Sequence, residues 1–156
     1  MTHDEFLLIN TLASILRDTE GLPAALDVWQ KLKRSYDRDY ALNPQNNELY
    51  RVLMMNISIA LKLSGRWEEC LRAAEEGYDA SLAQHDMKSV GRFLYQRAFC
   101  LMKLGQKEKG RALYERFLMF ARALDGYAGI NFETVKKEYE DEFGETSPVA
   151  SKTSAK

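Results

Sequence analysis

Histidine and cysteine each occur only twice in the 156 residues, proline three times, and the charges nearly cancel. His3 sits at the start of the chain and His85 in the Gln84-His85-Asp86 connection, with no second histidine or cysteine at metal-ligand spacing from either. Both are expected to be exposed, and no metal or other cofactor is implied. No glycine-rich phosphate cradle occurs, and no serine or cysteine has a base at a recognisable offset. The chain is therefore not expected to be an enzyme. Cys70 and Cys100 fall at apolar helical positions rather than at a paired spacing, which suits small buried hydrophobes and a reduced, cytoplasmic compartment. Lys plus Arg number 22 against 23 for Asp plus Glu, a formal charge of −1. With no field to draw in phosphate backbones, direct nucleic-acid binding by this segment is not expected. No apolar run approaches the roughly 18 residues of a membrane span, and the Met1-Thr2-His3-Asp4-Glu5 start lacks the basic lead and apolar core of a signal peptide. No membrane partner is expected.

What the chain does have is helical patterning. Apolar residues recur at three and four, helix formers dominate, and 46% hydrophobic residues suffice for the core of one ordinary domain. The pattern predicts helices over 4–18, 23–41, 45–63, 67–84, 88–104, 107–124 and 131–143. Gly65 and Gly105, forty residues apart, each end an apolar stretch and are followed five residues later by a small residue, Cys70 and Gly110. Aligned on these glycines, Met54-x2-Ile57-Ser58-x2-Leu61 lies above Leu94-x2-Arg97-Ala98-x2-Leu101, and Ile9-x2-Leu12-Ala13-x2-Leu16 supplies a third copy. This is tetratricopeptide (TPR) spacing with most aromatics replaced. Small residues at Ala13, Ser58 and Ala98 allow close approach of neighbouring helices, where large side chains would hold the backbones apart.

The expected fold is all-α: a right-handed TPR-like solenoid of three hairpins, about 4–41, 45–84 and 88–124, closed by a capping helix over 131–143. Residues 1–144 form this domain, and 145–156, small and polar, are expected to be a disordered tail. The acidic runs Glu68-Glu69, Glu75-Glu76 and Glu138 to Glu142 read as solvated helix faces.

The first helix of each hairpin should line a concave groove. Rotating about 100° per residue from the buried stripe puts Leu7, Asn10, Thr11, Ser14 and Arg17 on that face in the first copy. The second copy contributes Val52, Met55, Asn56, Ile59 and Leu63, and the third Arg92, Tyr95, Gln96, Phe99, Met102 and Lys103. Apolar surface in Met55, Ile59, Tyr95 and Phe99 mixes there with the amides Asn10, Asn56 and Gln96, which can bond an extended peptide's backbone. Arg92 and Lys103 can take its acidic groups. The alternative is that these residues pack against neighbouring helices. A peptide-binding role for Asn56 implies that Asn56→Ala weakens binding and leaves folding nearly intact. Trp29, Tyr36, Trp67 and Tyr78 on the second helices are candidates for a homodimer surface, with core burial as the competing role.

Phe6-Leu7-Leu8-Ile9-Asn10-Thr11-Leu12-Ala13, Met54-Met55-Asn56-Ile57-Ser58 and Leu94-Tyr95-Gln96-Arg97-Ala98-Phe99-Cys100-Leu101-Met102-Lys103-Leu104-Gly105 resemble the C-terminal half of a bacterial regulator family. These are the peptide-pheromone-responsive regulators of Gram-positive bacteria, with an Xre-type helix-turn-helix ahead of a TPR sensor. The resemblance covers residues 4 to 144. It implies that amides on the first helices hold a peptide backbone, with Asn56 the best match and Gln96 standing where the family usually has asparagine. Phe6 already belongs to the first repeat, so the chain is expected to be the sensor half of a transcription regulator whose DNA-binding domain lies outside it. The alternative is a stand-alone TPR adaptor that scaffolds a partner protein.

Overall fold

The computed structural model describes residues 2–40, 47–126 and 131–149. These residues form seven helices and no strand: α1 His3–Thr19, α2 Leu22–Tyr40, α3 Asn47–Leu63, α4 Trp67–Ala83, α5 Met87–Lys103, α6 Lys107–Ala123 and α7 Phe132–Phe143. Each helix packs mainly on its neighbours in sequence, and α3 also touches α5. The result is the expected all-α array of three hairpins, α1–α2, α3–α4 and α5–α6, closed by α7. The anticipated Asn43-Pro44 helix start lies outside the described residues.

The helix ends follow from local chemistry. Thr2 and Glu5 form a reciprocal capping box on α1, which satisfies N–H groups that have no partner within the helix. Gly65 (φ 70°) and Gly105 (φ 76°) end α3 and α5 in the left-handed conformation. This lets Arg66 N–H return to the Leu61 carbonyl at 3.0 Å and Gln106 N–H to that of Leu101 at 2.9 Å. The α4–α5 turn makes the same closure, Asp86 N–H to the Ser81 carbonyl at 3.0 Å, but its left-handed residue is His85 (φ 56°). His85 is exposed, as expected, and its position is a backbone matter. Asp86 caps α5: its carboxylate accepts from Ser89 N–H at 3.2 Å and from the Ser89 hydroxyl at 2.6 Å, and pairs with Arg51 at 2.8 Å. Partial burial works against the charged form, but the Ser89 bonds and Arg51 outweigh it and hold the acid below the usual aspartate range.

Close approach sets the packing. Ala13, Ser58 and Ala98 are fully buried. Cys70 Sγ lies 3.3 Å from the Ser58 carbonyl. Forty residues on, a Cβ added to Gly110 would lie 3.1 Å from the equivalent Ala98 carbonyl and 2.5 Å from Met102 Cγ. The two repeats thus present the same approach, with room for a thiol in one and only for hydrogen in the other. At the α4–α5 contact a Cβ on Gly77 would overlap the Phe93 ring, which is itself fully buried.

One apolar cluster fills the first two hairpins and reaches Phe93 and Cys100 on α5, and a second joins α5, α6 and α7. Trp29 and Tyr36 belong to the first, at 2% and 5% exposure. They are core residues and supply no dimer surface, because α1 and α3 cover them: Tyr36 stacks on Tyr50 and meets Phe6 edge to face. Trp67 and Tyr78 are half-buried, against Phe99 and beneath the Arg97 guanidinium. The start of the expected tail is engaged with the fold: Glu145 pairs with Arg111, Ser147 N–H donates to Glu140 at 3.2 Å, and Val149 packs on the second cluster. Residues 150–156 lie outside the described residues.

Gly77→Ala removes a poor helix former yet should lower stability by about 1–3 kcal/mol, since the ring it overlaps has nowhere to go; denaturant unfolding measures this. Asp86→Ala should cost about 0.5–2 kcal/mol at neutral pH. Because the folded-state pKa of Asp86 is depressed, its contribution is present above the unfolded aspartate value and is lost as pH falls through the folded one. The gap between wild type and variant, followed by thermal melts across pH, should therefore close below about pH 4.

Candidate functional site

Successive turns of α5 carry Arg92, Tyr95, Gln96 and Phe99 along one side, facing α3 and α6. A cavity of about 370 Å³ opens there, lined by Met55 and Ile59 of α3, Arg92, Tyr95 and Gln96 of α5, and Phe117 of α6. Gln96 is only 7% exposed, and its Oε1 has no hydrogen-bond donor among the described residues. A buried acceptor in that state carries a desolvation cost with no return in the free protein.

Across the Tyr95 ring lies a second cavity of about 320 Å³. It is lined by Tyr95, Phe99, Met102, Lys103 and Tyr114, with Glu138, Asp141 and Glu142 of α7 on its rim. Its walls belong to a chain of ring contacts. Trp67 meets Phe99 at 5.8 Å, Phe99 meets Tyr95 at 6.4 Å, Tyr95 meets Phe117 at 5.2 Å and Tyr114 at 5.8 Å, and Tyr114 continues to Tyr139 and Phe143 of α7. Tyr114 donates to Glu138 at 2.8 Å, and burial together with that carboxylate raises the phenol's pKa. Tyr95 is shifted up for the same reasons, burial first. Lys62 lays its ammonium over Phe99 at 4.2 Å and Tyr95 at 4.7 Å. Burial lowers its pKa.

Of the residues expected on the groove face, Met55, Ile59, Arg92, Tyr95 and Gln96 line the first cavity, and Phe99, Met102 and Lys103, again with Tyr95, line the second. Asn10, Ser14 and Asn56 line neither. Asn10 Oδ1 accepts from Trp29 Nε1 at 2.9 Å and from Asn56 Nδ2 at 2.9 Å, so the two amides tie the first hairpin to the second. The Ser14 hydroxyl donates back to the Asn10 carbonyl at 3.1 Å. Asn56→Ala is consequently expected to weaken the fold, which corrects the expectation that it would leave folding intact. Phe117 and Tyr114 of α6 and the α7 carboxylates were not expected in the groove. The helix over 131–143 was expected only as a cap, and its charges read as solvated faces.

The site offers an unpartnered acceptor, apolar and aromatic walls, a guanidinium at one end and carboxylates at the other. Among the described residues no group of three or more histidines, cysteines or acids could hold a metal ion, and no helix is long and apolar enough to cross a membrane. An all-α array of hairpins with ligand-sized cavities along its first helices defines a TPR-like recognition domain. The chain belongs to the RNPP family: the model of the RNPP family C-terminal domain matches residues 1–140. The resemblance seen in the sequence is borne out. No curated protein and no solved structure matches the chain. C-terminal domains of this family are peptide-binding regulatory domains.

Asn10→Ala should cost about 1–3 kcal/mol, because it strands the indole N–H of the buried Trp29 as well as the Asn56 amide. Chemical denaturation of the full chain tests this. Ala at the exposed neighbour Thr11 serves as the control and should change stability by less than about 0.5 kcal/mol.

Proposed function

We propose that the chain is a non-catalytic sensor domain that holds a short extended peptide across α3, α5 and α6. The observation that carries this is Gln96, which lines the first cavity and whose buried Oε1 has no hydrogen-bond partner among the described residues. A peptide brings one backbone N–H per residue that must find an acceptor once it leaves water. Met55, Ile59 and Phe117 then cover an apolar side chain of the ligand, and Arg92 takes an acidic group or the peptide's C-terminus. The α7 carboxylates put the opposite end of the ligand, its amino terminus or a basic side chain, beside Tyr114 and Phe99. Lys103 lies on that acidic side, so the acid-binding role falls to Arg92 alone. Asn56 keeps an Oδ1 without a partner among the described residues and joins the ligand only where the peptide extends toward α1.

Peptide binding would favour one spacing of the hairpins over another, the population shift by which such a domain regulates. Contact with DNA through a separate part of a regulator, pairing as a homodimer and action in the cytoplasm belong to the same proposal. A formal charge of −1 supports a sensor part rather than a DNA-contacting one.

Gln96→Met separates binding from folding. For the tightest ligand from a library of peptides of about five to eight residues, affinity measured by calorimetry should fall about tenfold to a hundredfold, the worth of a lost buried hydrogen bond. Stability should hold or rise, because the substitution removes an acceptor that the free protein leaves unsatisfied. Unchanged affinity, or a large loss of stability, would sink the proposal.

A further inference from the structure

Cys70 stands in the first turn of α4 and Cys100 in the last turn of α5. Both are fully buried, both are free thiols, and their sulfurs lie 2.8 Å apart. Nothing in the ligand-binding role uses them. Packing alone does not call for two thiols here either: the position equivalent to Cys100 in the preceding repeat is Ala60 and the one equivalent to Cys70 in the next is Gly110, so smaller groups serve where the repeat pattern recurs.

From this geometry we propose that Cys70 and Cys100 form a thiol–disulfide modification site that reversibly links the second hairpin to the third. The oxidant class is a peroxide. The Cys100 thiolate attacks one peroxide oxygen, giving a sulfenic acid and releasing the other oxygen as water after proton uptake. The Cys70 sulfur then displaces the sulfenic hydroxyl, which leaves as a second water, and the S–S bond forms. In sum two thiols and one hydrogen peroxide give one disulfide and two waters, the two electrons passing from sulfur to oxygen. A dithiol reductant reverses the link by exchange.

Three features of the surroundings support these steps. A Cys70 S–H can donate to the Cys100 sulfur, and this, with the nearby Lys62 ammonium, lowers the pKa of the Cys100 thiol. The Lys62 ammonium rests on the ring of Phe99, the residue preceding Cys100. Both cysteines lie in terminal helical turns beside the Gly65 and Gly105 turns, and fraying of these turns is the route by which the proposal admits a small oxidant. Trp67, three residues before Cys70, already packs on Phe99, so the two helix ends are held together before any bond forms.

The test uses the full wild-type chain treated with hydrogen peroxide, then unfolded and alkylated with iodoacetamide. The expected result is loss of both alkylatable thiols, a chain lighter by two hydrogens, one cross-linked peptide joining Cys70 to Cys100, and full recovery of both thiols with dithiothreitol. The oxidised chain should also melt higher, by on the order of 10 °C. In Cys70→Ser, Cys100 should instead be trapped by dimedone as its sulfenic adduct. Two thiols that stay alkylatable, oxygen added without a link, disulfides only between chains, or a link that lowers the melting midpoint would each overturn the proposal. None of these readouts requires a peptide, so failure here and failure of peptide binding are distinguishable.

Discussion

Everything in this fold depends on how closely one backbone can approach the next. Ser58 and Ala98, forty residues apart, are fully buried at the helix crossings, and the partner that comes up against each carbonyl is a thiol in one case and a hydrogen in the other. Gly77 brings α4 down on the face of Phe93. Helices brought this near leave no slack between hairpins, so a change at one contact must be absorbed as a shift of a whole helix. The cavities along α5 therefore have a shape set by small residues that do not line them.

This is also why the fold was legible in the sequence. Small residues at fixed spacing and glycines that must adopt positive φ are backbone demands, and such demands survive the loss of the aromatic signature. The repeat register and the pairing of helices into hairpins could be read from them. Side-chain pairing was less legible. Cys70 lies on the second helix of one repeat and Cys100 on the first helix of the next, at positions that no periodicity relates, and only the packed structure brings their sulfurs together. Asn10 and Asn56 were correctly placed on the first helices. That the Asn10 oxygen would be claimed by Trp29 and Asn56 together depends on rotamers and on the distance between helices. The α7 acids were read as solvated because the sequence does not say what a cap covers.

Two amides at the same repeat position, Asn56 and Gln96, and a third one place earlier in its repeat, Asn10, have different fates. Asn10 and Asn56 share a hydrogen bond and, through Trp29, join core to surface. Gln96, one methylene longer, is buried beside the first cavity with an oxygen that nothing among the described residues answers. Asn10 and Asn56 hold the fold together, and Gln96 is the kind of local inconsistency expected where a protein keeps a place for something else. In the proposed role such a site is tuned against stability: the atom that costs the free domain energy would give the bound one its specificity.

The two tryptophans of the chain sit in opposite circumstances. Trp29 is sealed in the core, with its indole N–H bonded to Asn10. Trp67 is half-exposed at the end of the ring chain that runs through Phe99 and Tyr95 to α7. The protein thus carries two built-in fluorophores. One is enclosed by the core, and the other packs on Phe99, a wall of the second cavity, one ring away from whatever occupies that space.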